Sequence, residues 1–158
     1  MEREMTFDEA LERCRFLAAK GECCTYDMEQ KMRNWGLQPS DIQRVIASLV
    51  NERFVDDQRY ATAYVRDKTR FNHWGRIKTT LMLRQKHIDK QVINQAFAEL
   101  PESDYLKAFA AERDKKMRQL RALKPFERNR KTAAYLIQKG FEPDMVFKNL
   151  NVENDDDL

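Results

Sequence analysis

The chain has 158 residues, of which 35% are charged and 42% apolar, with four glycines, four prolines and a formal net charge of +3. So few turn-forming residues argue against an all-β protein, and the abundance of long-chain helix formers favours exposed helices. No run approaches the roughly eighteen consecutive apolar residues of a membrane span, and the start at Met1 lacks the apolar stretch and cleavage site of a secretory signal, so a cytoplasmic protein is expected.

In the first third, Thr6 and Glu9 have capping-box spacing, and Phe7, Ala10, Leu11, Cys14, Leu17 and Ala18 recur at helical intervals up to Gly21. Thr25 is the expected N-cap of a second helix carrying Met28 and Met32 and ending at Gly36. Pro39 suits a first helical position, and Ile42, Val45, Ile46 and Leu49 line the helix that follows. The middle third opens on Asp56-Asp57, better read as helix capping than as a metal site, with Tyr60, Ala61, Tyr64 and Val65 turned inward. The junction Phe71-Asn-His-Trp-Gly75 leads to a helix through Leu81 and Leu83, and Asp89 can cap another bearing Ile93, Phe97 and Leu100. In the last third, Ser103 is the expected cap of a long helix with Tyr105, Leu106, Phe109, Arg113, Met117 and Leu120 on one side. Pro125 begins a new segment that ends at Gly140, and Glu142-Pro143 starts a final helix with Val146 and Leu150.

The thirds superimpose. Met32, Leu37, Ile42 and Ile46, advanced by 51, become Leu83, Ile88, Ile93 and Phe97; advanced by a further 53, they become Leu136, Phe141, Val146 and Leu150. All twelve are apolar, and the residue that ends the helix reads Gly36, His87, Gly140. This predicts an all-α protein of three tandem three-helix repeats, 1–55, 56–101 and 102–150, stacked into an elongated, curved array, with an acidic disordered tail over 151–158. Such an array suits binding along a groove or polymer. Nothing in the pattern demands a dimer, and a monomer is expected.

Charge is unevenly spread. The first segment is −2, the middle one +4, the last +5 and the tail −4. Arg66, Lys68 and Arg70 close one helix of the middle third, and Arg76, Lys78, Arg84 and Lys86 populate the next. Residues 113–131 hold nine bases, among them Arg113, Lys116, Arg128, Arg130 and Lys131, against Asp114 and Glu127. A solvated helix face usually mixes signs, so this cluster points to an acidic protein surface or to phosphates. Phe71 is expected to pack in the core, whereas Trp74 can serve either as core or as an exposed aromatic anchor.

The usual signatures of catalysis are missing. There is no phosphate-binding loop, no dinucleotide fingerprint and no H-E-x-x-H. The histidines are His73 and His87 alone, and Cys14, Cys23 and Cys24 lack metal-ligand spacing. No catalytic residue, no metal and no cofactor are expected.

The segment Phe54-Val-Asp-Asp-Gln-Arg-Tyr-Ala-Thr-Ala-Tyr-Val-Arg66 resembles the signature of the RecX family, and so does the aromatic residue before Gly75. Leu83-Arg-Gln-Lys-His-Ile88 is similar to that family's Leu-Arg-x-Lys-Gly-Ile, with His87 in place of glycine. Thr79 stands where the family is commonly apolar, with Ile77 as the compensating residue. The resemblance implies three three-helix repeats and a regulator that lies in the helical groove of the RecA–DNA filament. It also implies restraint of ATP hydrolysis, strand exchange and coprotease activity. Two other readings stand beside it: a stand-alone, nonspecific DNA-binding protein, and a helical scaffold for an unrelated partner.

Overall fold

The computed structural model describes residues 3–152; the acids of the expected tail, 153–158, lie outside the described residues. Among the described residues there are nine α-helices and no strand. They are α1 (Phe7–Lys20), α2 (Thr25–Asn34), α3 (Pro39–Asn51), α4 (Asp57–Arg70), α5 (Arg76–Gln85), α6 (Lys90–Ala98), α7 (Glu102–Gln119), α8 (Pro125–Gln138) and α9 (Pro143–Leu150). The chain divides into two compact units. The first comprises Met1–Ala63 with Arg84–Ala96, the second Tyr64–Leu83 with Phe97–Leu158.

In the first unit, α3 packs on α1 and α2. The helical spacing of the sequence becomes the core: Ala10, Leu11, Cys14, Met28, Met32, Ile42, Val45, Ile46, Leu49 and Val55 are buried together. The capping box of α1 forms, with the Glu9 amide donating to Thr6 Oγ1 at 3.2 Å and the Thr6 amide donating to the Glu9 carboxylate at 3.1 Å. Thr25 is not the cap of α2. Cys24 takes that position without a side-chain bond, and the Thr25 amide donates to Asp57 Oδ1 at 2.8 Å. The two adjacent aspartates therefore serve two helices, since Asp56 Oδ1 accepts from the Arg59 amide at 2.9 Å in the first turn of α4. The cysteines are free thiols, and burial pushes Cys14 up to about 11 and Cys24 up to about 12.

In the second unit, α8 packs on both α7 and α9 around Tyr105, Ala108, Phe109, Ala133, Leu136, Phe141, Val146 and Leu150. The Phe141 ring meets Tyr105 and Phe109 edge-on, with centroids 5.5 and 5.2 Å away. Ser103 lies inside the first turn of α7, whose cap position is Pro101. Leu106, expected on the inner side, is 49% exposed, because Ala108 fills the buried stripe in its place.

The internal repeat has a structural counterpart. Of the twelve equivalent apolar positions ten are buried, and Leu37 and Phe97 are partly so. The three turn residues all adopt the left-handed conformation, with φ of 84° at Gly36, 58° at His87 and 98° at Gly140. At the two glycines the following amide reaches back to close the helix: Leu37 donates to Met32 O and Phe141 to Leu136 O, each at 3.1 Å. His87 accepts the same backbone at a steric cost and sets its ring 4.5 Å from that of Tyr26.

Candidate interaction surface

The basic residues singled out by sequence have different fates. In the first unit, Lys86 is held in an internal cluster. Its Nζ lies 2.9 Å from both oxygens of Asp27, with the two side chains only 30% and 28% exposed. Burial works against the ammonium, but the bonds to Asp27 and Tyr60 outweigh it and raise its pKa. Arg84 donates to the carbonyl of Ile88 at 3.0 Å, across the turn that His87 forms.

In the second unit, Arg70 bridges to Asp104 at 2.8 Å, and Arg66 to its neighbour Asp67 at 3.2 Å. Arg76 pairs with Glu102 at 2.9 Å and with Glu142 at 3.5 Å, its guanidinium 3.7 Å above the Tyr105 ring. Arg113 meets Asp114 at 2.9 Å and Asn149 at 3.1 Å, and Lys131 meets Glu127 at 3.6 Å. Lys68 and Lys78 are different. Both ammonium groups sit over the indole of Trp74, at 4.7 and 4.5 Å from its centroid, and Tyr64 meets the same indole edge-on at 6.4 Å. Lys116 lies 4.9 Å over Tyr135. Among the described residues Lys68, Lys78, Lys116, Arg121, Lys124, Arg128 and Arg130 join no ion pair. Beside them on α8, Phe126 is 72% exposed, while the Nε of Arg128 is buried without a partner.

Trp74 owes its place to contacts that the sequence did not announce. Helix α4 ends at Arg70, the turn after it holds His73 at φ 53°, and the Trp74 amide donates to Lys68 O at 3.0 Å. The backbone then docks on the end of α8: Gly75 N donates to Lys139 O and Ile77 N to Gly140 O, each at 2.9 Å. A Cβ on Gly75 would lie 2.1 Å from the Gly140 carbonyl carbon, and one on Gly140 would lie 2.4 Å from Lys78 Cβ. The approach is possible because both residues lack a side chain. Lys139 strengthens it by donating to Asn72 O at 2.8 Å and pairing with Glu112 at 3.1 Å.

Glu112, with 6% of its side chain exposed, also receives Lys115 at 2.8 Å and the Tyr135 hydroxyl at 3.3 Å, and His73 Nδ1 lies 3.7 Å away. Burial raises its pKa, but the bonds from Lys115 and Lys139 overcome this and hold the carboxyl below its ordinary value. Nothing in the spacing of Glu112 marked it as the hub of this unit. Its only sequence signal was an acid at a core position of α7.

Several apolar expectations are corrected here. Phe71 is not core but 77% exposed, because α4 runs on to Arg70 and the turn points the ring outward. Ile77 is 51% exposed, so it does not compensate for Thr79. Thr79 is itself fully buried, and its hydroxyl donates to Gly75 O at 2.9 Å, which satisfies it without an apolar substitute.

The charges follow the two units. The described residues of the first hold equal numbers of acids and bases, and those of the second hold 17 bases against 9 acids, a net of +8. Comparison with known proteins places this arrangement. The family model described as "RecX, second three-helix domain" matches residues 56–96, and that described as "RecX, third three-helix domain" matches residues 102–150. The chain belongs to the RecX family. "Regulatory protein RecX" of Vibrio parahaemolyticus is 29% identical over 131 residues, which is 83% of this chain and 83% of the relative. That of Bacillus licheniformis is 24% identical over 84% of this chain, but only 51% of the longer relative is covered. Two solved structures share the fold: "Crystal structure of regulatory protein RecX", TM-score 0.82 at 21% identity over 93% of this chain and 73% of the other, and that of RecX from Lactobacillus salivarius, TM-score 0.80 at 18% identity over 93% and 97%. The RecX relatives are named as regulatory proteins. Among the described residues no group of three or more His, Cys, Asp or Glu could hold a metal, and no helix is long and apolar enough to cross a membrane.

Proposed function

We propose that this chain regulates the RecA recombinase by binding the RecA–DNA filament in its helical groove, as a monomer, and restraining ATP hydrolysis, strand exchange and coprotease activity. Residues 1–55, 56–101 and 102–150 act as successive helical modules of one binding protein. The observation that carries the reading is the charge bias of the second unit, where a surplus of +8 over the described residues includes cations that no acid among those residues neutralises. Lys68 and Lys78 present their charge from the Trp74 ring, and Arg121, Lys124 and Arg130 present theirs around α8. Arg70, Arg76 and Lys86, whose charges are spent within their own units, contribute to shape more than to recognition.

The test is RecA-dependent ATPase on single-stranded DNA with the protein added. Inhibition at concentrations far below those that coat the DNA supports the proposal. Inhibition that vanishes when DNA is in excess points instead to direct, nonspecific DNA binding, and no inhibition leaves a scaffold for an unrelated partner.

A further inference from the structure

Helix α5, with the sequence RIKTTLMLRQ, contains no acid and exposes two aliphatic side chains, Ile77 at 51% and Leu81 at 57%. They stand one turn apart and therefore share a face. On the same side Lys78 lays its ammonium over Trp74, whose other cation is Lys68. Single exposed apolar residues are ordinary on any surface. A pair at helical spacing, beside a partly buried indole and two cations that pair with no acid among the described residues, is a patch with a chemical signature.

We propose that the strip formed by Ile77 and Leu81, edged by Trp74, Lys78 and Lys68, is a docking surface for an amphipathic, carboxylate-bearing helix of a protein partner. The proposal rests on the filament-binding reading above and names the part of the filament that this face meets, namely protein. Phosphates would answer the lysines but leave Ile77 and Leu81 in water. A helix with its own apolar stripe and flanking Asp or Glu answers both. The neighbouring arginines sharpen the point. Arg70 and Arg76 are already neutralised by Asp104, Glu102 and Glu142, so of these four neighbouring cations the two left open among the described residues, Lys68 and Lys78, are those that edge the apolar strip.

The experiment compares full-length protein with the double variant Ile77→Gln, Leu81→Gln, by fluorescence anisotropy on RecA filaments assembled on oligo-dT and on naked oligo-dT. The substitutions are neutral, helix-compatible and at exposed positions, so the melting temperature stays that of the parent. Filament affinity should fall about 20-fold, as expected for losing two interface anchors, with affinity for naked oligo-dT unchanged. Phe16→Gln, at a 59% exposed residue of α1, should change neither. If the double variant melts early, Leu81→Gln alone carries the test, with about a fivefold loss expected. Filament affinity within twofold of the parent overturns this inference and leaves the proposed function standing. Equal losses on filament and naked DNA also overturn it, because the strip would then face nucleic acid. A parent protein with no affinity for the filament overturns both.

Discussion

The two units solve the problem of interior charge in opposite ways. The first unit is neutral among its described residues and buries a matched pair, Lys86 with Asp27, leaving each partner nearly a third exposed. The described residues of the second carry +8 and include one buried carboxylate, Glu112, which draws Lys115, Lys139 and the Tyr135 hydroxyl to it. A matched pair adds no net field. A lone acid inside a basic unit takes up cations that would otherwise repel one another and leaves the remainder to face outward. The difference separates a unit that contributes packing from one that contributes potential.

The largest expected effect lies in backbone packing. Gly75→Ala should destabilise the protein by about 3 kcal/mol or more, since its Cβ would collide with backbone that cannot step aside. Gly21→Ala in the first unit should be neutral within about 0.5 kcal/mol, because φ there is −178° and nothing lies within 4 Å. Urea unfolding of both variants measures the contrast, and equal losses would break it. Next comes charge. Reversing Arg121, Lys124 and Arg130 to Glu should weaken filament binding about 30-fold and flatten its salt dependence, whereas reversing Lys31 and Arg33 of the first unit should leave both unchanged.

The interior acids give a smaller, pH-dependent effect. Because the pKa of Glu112 is lower in the folded state, its stabilising contribution is present above the ordinary carboxylate value and is lost as pH falls through the folded pKa. Glu112→Gln should therefore cost about 1–2 kcal/mol at neutral pH, and parent and variant should converge in acid. Thermal melts across that range check the sign. The smallest effect is at His87→Gly. Relief of the left-handed backbone offsets the lost Tyr26 contact, so the net change should stay within about 0.5 kcal/mol of zero.

Helix positions and most of the core were legible in the sequence because both depend on local periodicity. Met32, Leu83 and Leu136 are fully buried at the expected register. Caps were less legible. Thr25 and Asp57 have the residue types of caps, but the bond that joins them spans 32 residues, which no local pattern records. Phe71 and Ile77 were misplaced for a related reason: apolar character is read as burial, although a surface that meets a partner needs apolar residues too. The basic cluster was visible as composition. Which cations are open was not, since Arg76 and Lys78 look alike in the sequence and are distinguished only by Glu102, Glu142 and Trp74.

The meeting of Gly75 with Gly140 also imposes an order of events on the nascent chain. The amides of Gly75 and Ile77 find their acceptors on residues 139 and 140, more than 60 positions later. At synthesis rates of roughly 5–20 residues per second, those amides wait about 3 to 13 seconds for their partners to be made. Through that interval the entry to α5 is held only by neighbours already translated, and the turn that carries Trp74 reaches its final geometry after α8 has been translated.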